Sequence, residues 1–271
     1  AEVLKCAWAI KYFAENSEKF LKNEHIKTDY KESYIQYDPL GVILGIMPWN
    51  FPYWQVFRFI SPVLMAGNVC LLKHASNVPR SALAIQNILE RAGFPEGAFQ
   101  ALLIGSNQVQ QVLTDSRVRA ATLTGSEAAG RAVASRAGHS LKPTVLELGG
   151  ADPFIVMPSA ELSDAVQAAV TGRTINNGQS CIAAKRFIVH RDVYDEFTDR
   201  FVAEFEKLNV GDPMLDTTDI GPLAMAQIRD DIDEQVTHST ALGAKKLIGA
   251  ERIQGQGYFY RPGILAQIPD S

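Results

Sequence analysis

The sequence of 271 residues has few cysteines, no excess of positive charge and no long apolar run. Its three cysteines are odd in number and far apart, and no C-x-x-C pair occurs, which argues against a disulfide framework and a zinc site. Such cysteine usage suits a reducing compartment, so we expect a cytoplasmic protein. No uninterrupted apolar run approaches the roughly 20 residues needed to span a bilayer, so no membrane partner is expected.

The charge balance excludes a further class of partner. Charged residues make up 21% of the chain and the formal net charge is −4, so nothing indicates nucleic-acid binding or a polybasic membrane surface. The 46% hydrophobic content is ample for a core in one large or two smaller domains. The N-terminus has neither a signal-peptide layout nor an initiator methionine, which predicts a fragment or a processed chain.

The first half of the chain alternates between strand and helix patterns. After a helix running to about Leu21, the alternating stretch Tyr30–Tyr37 predicts one strand of a hairpin. Apolar segments then predict strands at 41–46, 68–73, 99–105, 118–125 and 143–150, with helices at 79–93, 107–113 and 126–138 between them. This alternation predicts an α/β fold with a doubly wound, Rossmann-like parallel sheet.

A second set of elements begins after the paired glycines at 149–150. Strands are predicted at 152–157, 186–190 and 245–249, and helices at 161–175, 192–208 and 226–243. The segment 257–271 predicts the opening of another hairpin or strand. We therefore place a domain boundary near residue 150, between a domain of residues 1–149 and a partial α/β domain of residues 150–271.

Cys181 is the first candidate catalytic residue. It lies in the stretch RTINNGQSCIAAKR, residues 173–186, after a polar run typical of a loop. Its small neighbours leave room for a substrate, and an accessible thiol that can lose its proton is a useful nucleophile. The alternative is a packed, inert cysteine, because free cysteine is among the most buried residue types.

Glu147 is the second candidate, near the end of the apolar segment VLELGG. Ligands bind at the carboxyl ends of strands in open α/β sheets, so a carboxylate there can serve as a general base. The alternative is a solvated glutamate at a strand end. The two glycines that follow permit a sharp turn and the close approach of a ligand, which favours the functional role.

Two further segments carry weaker signals. In PWNFP, residues 48–52, two prolines restrict the chain around Asn50, whose side-chain amide can donate to a developing oxyanion; the alternative is a structural turn. In TLTGSEAAG, residues 122–130, a strand leads into a helix start that favours phosphate. That segment matches neither a P-loop nor G-x-G-x-x-G.

The order and spacing of these segments resemble the aldehyde dehydrogenase superfamily. PWNFP, a strand ending in Lys73, TGS, ELGG and GQSC follow one another, and the 34 residues from Glu147 to Cys181 match the family's spacing of base and nucleophile. PWNFPYWQVFRF, LLKHASNVP and LELGGADPFIV look most like bacterial succinate-semialdehyde dehydrogenases. The resemblance implies oxidation of an aldehyde to its acid with NAD or NADP, through a thiohemiacetal and a thioester on Cys181.

The resemblance also assigns roles to individual residues. Cys181 is the implied nucleophile, Glu147 the base that activates water, and Asn50 an oxyanion donor. Residues 1–149 are the implied NAD(P)-binding domain, with a bridging or oligomerisation strand at 29–38, and 150–271 the partial catalytic domain. The implied cofactor contacts are Met47, Trp49, Lys73, Ser76, Gly105, Gly125, Ser126 and Leu148. Without the family, Lys73 is best interpreted as an exposed lysine at a strand end.

Cofactor and substrate choice depend on Ser76 and Arg58. NAD-selective relatives have an acidic residue three positions after the lysine; Ser76 stands there, so we expect NADP to be usable. Arg58, eight residues beyond Asn50, is the implied clamp for a distal carboxylate, and the alternative is an arginine packed by its stem. Relatives often have a second arginine six residues before the nucleophile, where Ile175 stands, and whether Arg173 replaces it is left open.

Several alternatives remain at this level. The substrate is succinate semialdehyde or, as the second choice, an uncharged aliphatic or aromatic aldehyde. A CoA-acylating or phosphate-releasing reductase is disfavoured by Glu147. The family's Glu-Phe-Gly-Pro segment and C-terminal strand are absent, so we expect an internal piece of a longer enzyme, homo-oligomeric when full-length. A catalytically silent cofactor-binding fragment is the non-enzymatic alternative.

Overall fold

The computed structural model describes residues 2–269. The chain divides into two compact units, Ala1–Gly149 and Gly150–Ser271. The first unit contains, in chain order, α1 (Glu2–Leu21), β1 (Glu24–His25), β2 (Tyr34–Ile35), β3 (Val42–Met47), α2 (Trp54–Met65), β4 (Val69–His74), α3 (Pro79–Arg91), β5 (Phe99–Ala101), α4 (Val109–Thr114), β6 (Val118–Gly125), α5 (Glu127–His139) and β7 (Thr144–Leu148).

Five parallel strands form the sheet of the first unit, in the order β5-β4-β3-β6-β7. Successive residues of β3 face opposite sides, as strand geometry requires: Ile43 packs with α2 and α3, and Leu44 packs with α4 and α5. Helices therefore cover both faces, and the predicted doubly wound sheet is confirmed.

Close packing of α2 on the sheet depends on a glycine in β3. A Cβ atom added to Gly45 would lie 2.3 Å from Cε1 of Phe59, whose ring fills the space above the strand. Phe57 and Phe59 are both buried, whereas Arg58 between them reaches the surface. The backbone of β3 and helix α2 therefore approach at a distance that any larger residue at position 45 would prevent.

The second unit has smaller sheets. It contains β8 (Pro153–Val156), α6 (Leu162–Thr174), β9 (Arg186–Val189), α7 (Tyr194–Glu206), α8 (Ala226–Ala241), β10 (Lys245–Ile248), β11 (Glu251–Arg252), β12 (Tyr260–Arg261) and β13 (Ile264–Ala266). Strands β8 and β9 are parallel, while β10 pairs with β13 and β11 with β12 in antiparallel fashion. Its core is built on three phenylalanines one helical turn apart in α7, namely Phe197, Phe201 and Phe205.

Three local predictions needed correction. The strand predicted at 99–105 ends at Ala101, because the apolar residues beyond it are not all buried: Leu103 is 62% exposed. The helix predicted near 107–113 begins as a 3-10 turn at Ser106–Gln108. The strand predicted at Tyr30–Tyr37 is reduced to β2, which pairs with β1, and both strands are exposed.

Of the two alternatives predicted for the C-terminal segment, the structure shows strands rather than a hairpin. Strands β12 and β13 do not pair with each other as a hairpin would, since each has its own partner. The last two residues of the predicted segment 257–271 lie outside the described residues.

Candidate active site

The predicted residues of the first unit gather at one edge of its parallel sheet. By strand register, Met47 lies beside His74 and Ile46 beside Lys73 at the carboxyl ends of β3 and β4. Gly125 lies beside Leu148 at the same ends of β6 and β7. This edge is where ligands bind in open α/β sheets, so the topology places the candidates where chemistry is expected.

The loop that carries Asn50 is held by a buried histidine. His74 is 5% exposed, and its Nδ1 accepts a hydrogen bond from the backbone N–H of Ala75 at 2.9 Å. Its Nε2 lies 2.9 Å from the carbonyl oxygen of Pro52, and its Nδ1 also lies 3.2 Å from the carbonyl oxygen of Met47, so the ring contacts both ends of this loop. The Asn50 side-chain oxygen accepts from the backbone N–H of Phe51 at 3.1 Å, which orients the amide.

Helix α2 begins directly after this loop and is capped from a distant part of the chain. The carboxylate of Glu2 accepts hydrogen bonds from the backbone N–H groups of Tyr53 and Trp54, at 2.9 and 2.7 Å. A negative charge at a helix N-terminus is stabilising because it satisfies unpaired donors and complements the helix dipole. Helix α1 therefore helps to fix the start of the helix that carries Arg58.

Arg58 and Glu147 face each other at the carboxyl edge of the sheet. Nη1 of Arg58 lies 3.5 Å from Oε2 of Glu147, and its Nη2 donates to Oγ1 of Thr124 at 3.2 Å. Both charged side chains retain solvent access, with 39% and 53% of their side-chain surface exposed. They line a cavity of about 480 Å³ together with Gln55, Met47 and Thr124.

The cofactor candidates present a helix start and a half-buried lysine. Ser126 caps α5, because its Oγ accepts a hydrogen bond from the Ala129 backbone N–H at 3.3 Å. The first turn of α5 therefore begins just after Gly125. A Cβ atom at Gly125 would meet only Leu123, at an ordinary 3.6 Å, so packing within the protein does not require glycine there. The open space and helix N-terminus fit the pyrophosphate of a dinucleotide.

Lys73 differs from the exposed strand-end lysine that sequence alone favours. It is half-buried, and burial lowers the pKa of its ammonium group. Ser76, three residues further on, is exposed. A partly desolvated amine close to an exposed hydroxyl at a sheet edge suits recognition of a ribose and its substituents.

The remaining cofactor candidates are Met47, Leu148, Gly105 and Trp49. Met47 is 3% exposed and belongs to the core, and Leu148 packs so closely on α5 that a Cβ atom at Gly130 would lie 2.6 Å from its Cδ2. The backbone N–H of Gly105 donates to Oε1 of Gln108 at 3.0 Å. Trp49 is half-buried.

Cys181 lies in the second unit, in the loop between α6 and β9. It is exposed, whereas Cys6 and Cys70 are buried. Cys181 is therefore not packed in a core, and accessibility, the first requirement of a nucleophilic thiol, is met. Burial raises the pKa of Cys6 to about 11 and that of Cys70 to about 12, which disfavours the thiolate form of both.

Two cationic side chains support the Cys181 loop from within the second unit. Nζ of Lys185 donates to the carbonyl oxygens of Gly150 at 2.6 Å and Cys181 at 3.0 Å. Nη1 of Arg173 donates to the carbonyl oxygen of Ala184 at 3.2 Å. Burial lowers the pKa of both groups, and for Lys185 the charge of Arg173 adds to the effect.

The structure thus brings Arg58 and Glu147 together and places Asn50 in the same unit, with Cys181 in the other. Sequence reasoning missed Thr124, His74 and Lys185. Each lies within one of the motif-bearing segments described above, but a threonine, a histidine or a lysine at a strand or loop end gives no signal of its partner.

The described residues contain neither a membrane-spanning helix nor a cluster of metal ligands. Within 2–269, no helix combines the length and apolarity needed to cross a membrane. Nor does that part of the chain contain a group of three or more histidine, cysteine or acidic side chains arranged to hold a metal ion.

The chain belongs to the aldehyde dehydrogenase family, which matches residues 1–271. It is 56% identical over 99% of its length to the NADP(+) succinate-semialdehyde dehydrogenase of Mycobacterium avium, of which it covers 57%. A Mycobacterium tuberculosis protein described as succinate-semialdehyde dehydrogenase (NADP+) 1 has the same identity, with 59% covered. The chain thus spans little more than half the length of these relatives.

A solved structure agrees with this placement. The crystal structure of succinic semialdehyde dehydrogenase from Streptococcus pyogenes in complex with NADP+ is similar to 97% of this chain, with a TM-score of 0.95 and 39% identity. The match covers 58% of that structure's chain.

Proposed function

We propose that the protein carrying this chain oxidises succinate semialdehyde to its dicarboxylic acid with NADP or NAD. The observation that carries the proposal is the arrangement of Arg58 and Glu147 around one cavity, 3.5 Å apart. A guanidinium suits a carboxylate tail, and a solvent-accessible carboxylate suits activation of water. The relatives named above support the same substrate.

In the proposed reaction, the thiolate of Cys181 adds to the aldehyde carbon and forms a thiohemiacetal. The Asn50 amide and the Cys181 backbone N–H donate to its oxyanion. Oxidation of the thiohemiacetal to the Cys181 thioester requires the loss of hydride, which a nicotinamide dinucleotide held by residues 1–149 would accept. Glu147 then takes a proton from the water that attacks the Cys181 thioester, which releases the acid and the free thiol.

Arg58 gives the proposal its substrate class. Its guanidinium has five N–H donors, and its described contacts with Thr124 and Glu147 use only part of this capacity. The side chain is 39% exposed, so its remaining N–H donors can serve a second carboxylate. An uncharged aldehyde forms no ion pair with this arginine, so uncharged aldehydes are the second choice of substrate.

For the cofactor, we infer that residues 1–149 bind the dinucleotide and that 150–271 carry the nucleophile. Lys73 and Ser76 are assigned to the adenosine ribose, and Ser126 at the start of α5 to the pyrophosphate. The absence of a carboxylate at Ser76 leaves room for a 2′-phosphate, in line with the NADP-dependent relatives. A homo-oligomer built through residues 29–38 stays a prediction.

The test is cofactor reduction by the full-length protein with succinate semialdehyde or with butanal, in the absence of CoA and phosphate. Arg58→Ala should raise KM for succinate semialdehyde about 10-fold or more, since a charged hydrogen bond contributes ~1.5–3 kcal/mol, and should leave KM for butanal nearly unchanged. The exposed Arg91, in the last turn of α3, provides the matched control Arg91→Ala.

The outcomes discriminate among the alternatives. Equal effects of Arg58→Ala on both aldehydes would make Arg58 a structural residue and favour uncharged substrates. Turnover retained by Cys181→Ala would overturn the mechanism, whereas Cys6→Ala should remain active because Cys6 is buried in the core. A full-length protein without turnover on any aldehyde would support the catalytically silent alternative.

A further inference from the structure

The loop before Cys181 has an unusual backbone. Asn176, Asn177 and Gly178 are consecutive residues with positive φ, at 52°, 55° and 72°. L-residues rarely adopt this left-handed conformation, although asparagine tolerates it better than most. Such a run persists only where surrounding contacts hold it, so the loop needs external support.

Two amide side chains provide that support. Asn177 accepts from the backbone N–H of Gly221 at 3.0 Å through Oδ1 and donates to the carbonyl oxygen of Pro222 at 3.3 Å through Nδ2. Gln179 accepts from the backbone N–H of Ala224 at 3.0 Å through Oε1. Three hydrogen bonds thus connect the turn before Cys181 to a backbone segment, residues 221–224, that lies far away in sequence.

Two backbone hydrogen bonds connect the segment 221–224 and its preceding residue to other parts of the second unit. Before it, the backbone N–H of Gly211 donates to the carbonyl oxygen of Ile220 at 3.0 Å, and Ile220 is 5% exposed. Within it, the backbone N–H of Leu223 donates to the carbonyl oxygen of Tyr258 at 3.0 Å. The amides of Asn177 and Gln179 therefore bind a segment that is also tied to other parts of the second unit by backbone hydrogen bonds.

We propose that Asn177 and Gln179 are positioning residues that lock the Cys181 loop onto residues 221–224. Neither residue touches the reacting atoms in this assignment. They act through the backbone, by fixing the direction in which the thiol is presented to a carbonyl carbon. The catalytic consequence rests on the proposed function, whereas the structural anchor does not.

The test compares variants that separate backbone conformation from side-chain anchoring in the full-length protein. Asn177→Gly keeps the left-handed conformation but removes both hydrogen bonds, and Gln179→Ala removes the third. Asn177→Asp and Gln179→Glu keep an acceptor for Gly221 and Ala224 and serve as conservative rescues. Gln227→Ala is the matched control, because Gln227 is exposed on α8 and bonds to Asp231 on the same helix.

Kinetics provide the first readout. Asn177→Gly and Gln179→Ala should lower kcat about 10- to 100-fold, the range that a misplacement of ~1 Å produces, while the dissociation constant for NADP changes less than about twofold. The two conservative variants should recover at least part of kcat. Equal loss in the conservative and disruptive variants, or a kcat unchanged throughout, would overturn the positioning role.

Hydrogen exchange provides the second readout, which needs no turnover. Backbone amides in 221–224 and 176–184 should exchange about 10-fold faster or more in Asn177→Gly and Gln179→Ala than in Gln227→Ala, since local opening frees the Gly221 and Ala224 donors. Unchanged exchange in both segments would overturn the anchor. If Asn177→Gly fails to fold, Gln179→Ala and the two conservative variants decide the question. A wild-type protein without aldehyde oxidation would refute the proposed function alone, since exchange still tests the anchor.

Discussion

Nη1 of Arg58 on α2 and Oε2 of Glu147 near the end of β7 lie 3.5 Å apart, and both residues line one cavity. The helix that follows the Asn50 loop thus places a fixed positive charge beside the carboxylate assigned as base. The interaction lies at a partly exposed site, so it contributes little to stability on its own. In the proposed function, the interaction orients the carboxylate and places a cation where a substrate carboxylate would approach.

The pair makes Glu147→Gln an informative variant. Glutamine has nearly the shape of glutamate but cannot take a proton from water, so deacylation should slow by about 100-fold, within the range of general base catalysis. Hydride transfer precedes that step and should be affected less. Stopped-flow absorbance should show a rapid burst of reduced cofactor followed by a weak steady rate. An undiminished steady rate would remove Glu147 from the base role.

Cofactor choice should respond to Ser76. Ser76→Glu places a carboxylate beside the assigned ribose site, where it repels a 2′-phosphate and can accept a hydrogen bond from a 2′-hydroxyl. We expect kcat/KM for NADP to fall about 10-fold or more relative to that for NAD, since like charges in contact cost on the order of 1–2 kcal/mol. Specificity constants for both cofactors measure this ratio. Ser76→Ala is the control, because it removes the hydroxyl without adding charge.

The buried thiol of Cys70 should make stability depend on pH in alkaline solution. Burial raises its pKa from an ordinary 9.0 to about 12, so the folded state holds its proton more tightly than the unfolded state. The resulting stabilisation is fully present below pH 9 and is lost as the pH rises towards 12. Urea unfolding at pH 8 and pH 10.5 should show a smaller decline for Cys70→Ala than for the wild type. Parallel declines would show that Cys70 does not contribute.

Gly178 should be intolerant of a side chain. Its φ is 72°, and a Cβ atom would lie 2.7 Å from Nη2 of Arg173, so Gly178→Ala strains the backbone and displaces a supporting arginine. We expect a loss of about 1–3 kcal/mol in the free energy of unfolding and reduced activity. Gly172→Ala is the matched control. Gly172 lies within α6, and a Cβ atom there would meet Cβ of Ala184 at an ordinary 3.7 Å. Alanine there should be neutral or stabilising by up to ~1 kcal/mol.

Much of the fold follows from local patterns. The apolar runs of β3, β4 and β6, the proline at the start of α3 and the phenylalanine spacing of α7 indicate their elements because each reflects burial of one strand or one helix face. The bounds of short elements such as β2 and β5 were not predicted accurately. Their boundaries depend on partner strands and solvent exposure rather than on local periodicity.

The sequence by itself determined the candidate residues, because Cys181, Glu147 and Asn50 lie in short motifs whose order is read along the chain. Only the tertiary structure decided what those residues contact. Three contacts join positions remote in sequence: the carboxylate of Glu2 with the start of α2, Arg58 with Glu147, and Asn177 with residues 221–222. Such contacts depend on how helices and strands pack, and no local propensity encodes the distance between two side chains brought together by folding.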